Sequence, residues 1–61
     1  MRSMENIAKW VREKRKEKKW TQQHLALKLR VTRQSVNSWE NGKTRIPSPV
    51  IALLEKVFSE E

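Results

Sequence analysis

The sequence predicts an all-α fold, on three observations. Apolar residues recur at three- and four-residue spacing through most of its 61 positions, the period of a helix with one buried face. Threonines stand just before two of these periodic stretches, at Thr21 and Thr32. A hydroxyl there accepts a hydrogen bond from an otherwise unpaired first-turn amide. Finally, no segment alternates polar and apolar residues as a half-buried strand would.

Four helices follow in order. The first is expected over Met4–Lys18, after Ser3 as its cap, with Met4, Ile7, Ala8, Val11, Arg15 and Lys18 on its inward stripe. The second, Gln22–Leu29, starts after Thr21 and turns Leu25, Ala26 and Leu29 inward. The third, Arg33–Asn41, starts after Thr32 and turns Val36, Trp39 and Glu40 inward. Gly42 stops it, because glycine enters the left-handed conformation that ends helices. A loop over Gly42–Pro47 leads to Ser48, expected to cap the fourth helix, with Pro49 at its first position where a missing N–H costs nothing. The fourth stripe is Val50, Leu53, Leu54 and Val57, with Ile51 and Phe58 beside it.

Composition narrows the function. One domain over residues 1–61 is all this length accommodates, and such a chain buries only about 60% of its unfolded surface. Cysteine is absent, which removes disulfides and thiolate metal sites. His24 is the sole histidine, too few for an ordinary zinc centre with scattered carboxylates, so no metal or other cofactor is expected. Paired carboxylates, an activated nucleophile and a phosphate loop are all missing, which argues against an enzyme. Apolar runs fall far short of the roughly 20 residues that span a bilayer, and the N-terminus lacks a secretory core. A cytoplasmic protein, working at the nucleoid, is expected.

Net charge is +7, from 14 Lys and Arg against 7 Asp and Glu. It concentrates in Lys9, Arg12, Lys14, Arg15, Lys16, Lys18 and Lys19, whereas Glu55, Glu60 and Glu61 make the C-terminal end acidic. A solvated helix face and a polyanion-binding surface both account for the basic run. Two charges are more specific. Arg15 falls on the inward stripe of helix one and Glu40 on that of helix three. An unpaired buried charge is so unfavourable that these two are expected to form an ion pair.

Residues 22–41 read as two short helices joined by a tight turn, a helix-turn-helix. Ala26 is small where the helices cross. With Leu25, Leu29, Val31, Val36 and Trp39 inside, Arg33, Gln34, Asn37 and Asn41 remain on the outer face of helix three, with Ser38 at its margin. Arginine matches guanine O6 and N7, and Gln or Asn matches adenine N6 and N7. A helix face selected for solubility alone would carry more Glu–Lys pairs.

Thr21–Ala26 (TQQHLA), Val31–Val36 (VTRQSV) and Trp39–Lys43 (WENGK), with Pro47 downstream, resemble the Cro/C1-type helix-turn-helix of lambdoid phage repressors and XRE-like regulators. The resemblance implies a compact four-helix, or short five-helix, lambda-repressor-like domain. It also implies that Arg33, Gln34, Asn37 and Ser38 read bases. Thr21, Gln22, Arg30, Asn41, Lys43, Thr44 and Arg45 would hold the phosphate backbone. Arg15 stands where the family places an arginine bridging to the glutamate that matches Glu40. The implied partner is double-stranded DNA with a near-palindromic operator, bound as a homodimer. Leu27, Ile51 and Phe58 are candidates for the dimer contact.

Three departures stand out. Arg30 occupies a turn position where the family usually has glycine, because φ is positive there; the cost is on the order of 1 kcal/mol. His24 replaces a Glu or Gln that would complete a capping box. A fifth helix, which helps typical repressors dimerise, is not evident. Of the three tryptophans, Trp39 is expected in the core, Trp20 over Leu25 or at the side of the core, and Trp10 half exposed. The leading functional expectation is a repressor that occludes its operator. The alternatives are an XRE-type antitoxin, with its toxin as a second partner, and an interaction module without DNA activity.

Overall fold

A computed structural model describes the backbone of residues 4–60 and the side chains of residues 6–60. Its elements are α1 (Met4–Glu17), α2 (Gln22–Leu29), α3 (Arg33–Glu40) and α4 (Ser48–Ser59), with no strand among the described residues. The Ser3 cap and the side chain of Met4 lie outside that range. α2 and α3 share the broadest contact, and α1 and α4 pack against the pair. The core takes Ala8 and Val11 from α1, Leu25, Ala26 and Leu29 from α2, and Val36 and Trp39 from α3. Leu54, Val57 and Phe58 come from α4.

Thr21 and Thr32 cap as their hydroxyls dictate. Thr21 Oγ1 accepts from the His24 amide at 3.0 Å, and Thr32 Oγ1 accepts from the Ser35 amide at 3.1 Å. The Ser35 hydroxyl lies 3.0 Å from that of Thr32 and closes the same turn.

One device ends the first three helices. Lys19 (φ 59°), Arg30 (φ 61°) and Gly42 (φ 71°) are left-handed. The next residue then donates back five positions: Trp20 to Arg15 O (3.1 Å), Val31 to Ala26 O (3.0 Å) and Lys43 to Ser38 O (2.9 Å). These are Schellman closures, which satisfy carbonyls a helix end leaves open. Only one of the three uses glycine, so Lys19 and Arg30 each carry a steric cost of roughly 1–2 kcal/mol.

Four details differ from the sequence expectation. α1 ends at Glu17 rather than Lys18, because the left-handed Lys19 turns the chain out of the helix just after it, although Lys18 N still donates to Lys14 O at 3.2 Å. Asn41 caps α3 instead of extending it. α4 begins at Ser48, with Pro47 as its cap and no side-chain cap bond. Pro47, held extended, supplies the carbonyl that accepts from Val50 (2.9 Å) and Ile51 (3.0 Å). α4 is also rotated: Leu53 is 37% exposed, while Phe58 is buried. Phe58 meets Trp10 edge-on at 5.4 Å and stacks with Trp20 at 6.1 Å, and these two indoles set the phase of the helix. Ile46, a loop residue, is a further core member at 2% exposure.

Candidate nucleic-acid interface

α3 buries Val36, Trp39 and Glu40 and turns the rest outward. Arg33 and Gln34, in its first turn, are exposed, and neither side chain bonds to a described residue. Asn37 and Ser38 are half-buried, and Asn41 is exposed. The first turns of α2 and α3 contain no acid. Helix stability alone would favour Asp or Glu there, since the helix dipole is positive at that end. Arg33 instead adds a cation, which leaves the amino end of α3 suited to an anion.

Beneath this face lies the ion pair. Arg15 Nε donates to Glu40 Oε2 at 2.6 Å and Nη2 donates to Oε1 at 3.0 Å, with side chains 12% and 2% exposed. Arg15 Nη1 also donates to Trp20 O at 2.8 Å. The guanidinium thereby ties α1, α3 and the α1–α2 turn together. A forked arginine–carboxylate contact of this kind fixes orientation as well as distance.

The pair continues outward. Gln22 Nε2 donates to Glu40 Oε1 at 3.2 Å, Asn37 Nδ2 donates to Gln22 Oε1 at 3.3 Å, and Asn41 Nδ2 donates to Asn37 Oδ1 at 3.1 Å. Gln22, expected at a phosphate, and Asn37, expected at a base, are therefore bonded to each other. Thr21 is exposed with its hydroxyl oxygen in the α2 cap. Arg30, Lys43, Thr44 and Arg45 are exposed in the two turns that follow α2 and α3.

Two residues beside the carboxyl end of α3 were read from the sequence only as part of the basic run, with no place in the site. Lys9 and Arg12, together with Asn6, Asn41 and Gly42, line an open groove of about 720 Å³. Arg12 Nη1 donates to Glu40 O at 3.3 Å, and the Lys9 side chain has no partner among the described residues. Their i, i+3 spacing in the basic run was visible; which face of α1 meets the end of α3 was not.

Trp20 forms a separate feature. His24 lies 5.0 Å from its ring, and the Lys18 and Lys28 Nζ atoms stand 5.4 and 5.1 Å from its centroid. These contacts shield a half-buried indole by cation–π attraction and stacking. Among the described residues, no helix is long and apolar enough to cross a membrane.

The sequence model of the helix-turn-helix family matches residues 11–60, which include α2, α3 and α4 entire. The chain belongs to that family. This helix-turn-helix protein is of the Cro/C1, XRE-like type, a DNA-binding transcription regulator whose partner is double-stranded DNA. No curated protein and no solved structure matches it significantly.

Proposed function

We propose that this helix-turn-helix protein is a sequence-specific repressor that occludes its operator as a dimer. In this reading α3 lies in the major groove, where Arg33, Gln34, Asn37 and Ser38 address base edges. Thr21, Gln22, Arg30, Asn41, Lys43, Thr44 and Arg45 address phosphates on either side, and Lys9 and Arg12 extend that grip along α1. The observation that carries the reading is the exposure of Arg33 and Gln34 without a partner among the described residues, on a helix whose opposite face buries Val36, Trp39 and Glu40. One α3 offers few base contacts, so useful discrimination calls for two copies on half-sites about one helical turn apart. Of the candidates for the dimer contact, Leu27, 67% exposed, offers the most surface, whereas Phe58, 8% exposed, offers little. The site of action would be the cytoplasmic nucleoid.

Selection from randomised duplex DNA tests this. A near-palindromic consensus bound by two chains, with affinity falling steeply as salt rises, is the expected result. Recovery of sequences without a consensus would leave only backbone binding. An antitoxin would bind its own operator in the same way. Rescue of cells from a toxin encoded beside it would establish that alternative.

A further inference from the structure

Glu40, Gln22, Asn37 and Asn41 form a chain of hydrogen bonds whose direction is set from its buried end. Glu40 is 4% exposed and paired with Arg15, and an ion-paired carboxylate only accepts. Gln22 must therefore turn its Nε2 toward Glu40, which leaves its Oε1 for Asn37. Asn37 must answer with Nδ2, which leaves its Oδ1 to accept from Asn41. An amide outside such a chain exchanges its donor and acceptor simply by turning over, since its two ends are nearly the same size.

We infer that Glu40, acting through Gln22, fixes the amide orientation of Asn37, so that Gln22 and Asn37 form one coupled determinant of base preference. Gln22 is then a positioning residue. The inference rests on the reading of α3 as the base-facing helix. After its two internal bonds, the Asn37 amide retains one N–H and one oxygen lone pair. Those are the groups an adenine edge needs, N7 accepting and N6 donating. Guanine offers two acceptors there, and a reversed amide would set oxygen against N7. The fixed orientation thus favours adenine over guanine at the base pair Asn37 faces.

Gln22→Met keeps the length of the side chain and removes both bonds. In the free protein, the Asn37 side-chain amide should exchange its protons about fivefold faster in this variant, the factor one modest hydrogen bond supplies. Unchanged exchange would overturn the relay without reference to DNA. In selections on randomised duplex, Gln22→Met should lower the adenine preference at one position per half-site by about tenfold, within the range of a lost bidentate contact. Preferences at the positions read by Arg33 and Gln34 should persist. Asn37→Ala should lose the same preference, and the double variant should lose no more than either single one, as coupled residues do. Equal weakening on every sequence would make Gln22 a phosphate ligand alone and overturn the inference. If the native chain showed no base preference, the reading of α3 would fall and the specificity claim with it. The amide exchange would still report separately on the relay.

Discussion

Arg15 and Glu40 meet through two hydrogen bonds, 2.6 and 3.0 Å long, one to each carboxylate oxygen and almost out of reach of water. Arg15 lies on α1 and Glu40 on α3, so the contact locks the second helix of the motif to a helix outside it. Removing one partner strands the other charge. Arg15→Met is therefore expected to destabilise the domain by about 3–5 kcal/mol, much of the margin of a protein this small. Arg15→Met with Glu40→Leu should recover most of the loss, because no buried charge is left unpaired. Urea midpoints of the three chains decide it, and a single variant as stable as the parent would show the pair to be structurally idle.

The two left-handed cations invite the opposite change. Lys19 and Arg30 each sit near φ 60° with a side chain that disfavours it. Replacement by glycine removes that clash but adds freedom to the unfolded chain. The net gain should be about 0.5–1 kcal/mol per site, from the difference between those two effects. Thermal melting should rise by a few degrees for either variant. For Arg30→Gly, DNA affinity should fall while stability rises. A destabilised Arg30→Gly would mean that its side chain holds the turn in a way the backbone does not reveal.

These positions also show what can be read in a sequence. Arg30 was legible through the family resemblance, which puts a glycine of positive φ at its turn position. Lys19 was not, since a basic run without glycine continues to look helical. The charges of Arg15 and Glu40 were legible because each broke an apolar stripe. α4 was ambiguous: Val50, Ile51, Leu53, Leu54, Val57 and Phe58 spread over nearly half its circumference, so only its neighbours could decide which edge of that arc is buried. Ile46 has no periodic context, and its burial depends on how the loop crosses the core. The links from Gln22 to Asn37 and Asn41 depend on the crossing of two helices, which spacing within either does not define.

Phe58 and Leu27 should separate core from surface. Truncating Phe58 to alanine leaves a void beside Trp10 and Trp20, and the expected loss is about 3–5 kcal/mol. Tryptophan emission should shift red as the indoles become wet. Leu27→Ser, at a residue 67% exposed, should change monomer stability by no more than about 0.5 kcal/mol. If Leu27 lies at the dimer contact, the same variant should bind a full operator less cooperatively while binding one half-site normally. Unchanged cooperativity would move the dimer contact elsewhere.

Base readers and backbone holders should respond differently to truncation. Arg33→Ala and Gln34→Ala are each expected to cost about 1–3 kcal/mol on the preferred operator and to relax choice at the position contacted. On unrelated duplexes Gln34→Ala should have little effect, because it removes no charge. Arg33→Ala should leave folding stability unchanged or slightly higher, since a cation at a helix amino end opposes the dipole. Lower affinity with undiminished stability is the signature of a residue placed for its ligand. Lys9→Ala and Lys43→Ala should instead weaken all sequences alike, and each should reduce the slope of log affinity against log salt by about 1. Binding isotherms at several salt concentrations, on operator and on scrambled DNA, distinguish the two groups. Should Arg33→Ala and Lys43→Ala behave identically on both duplexes, the division of labour assigned to α3 and its flanks would be wrong.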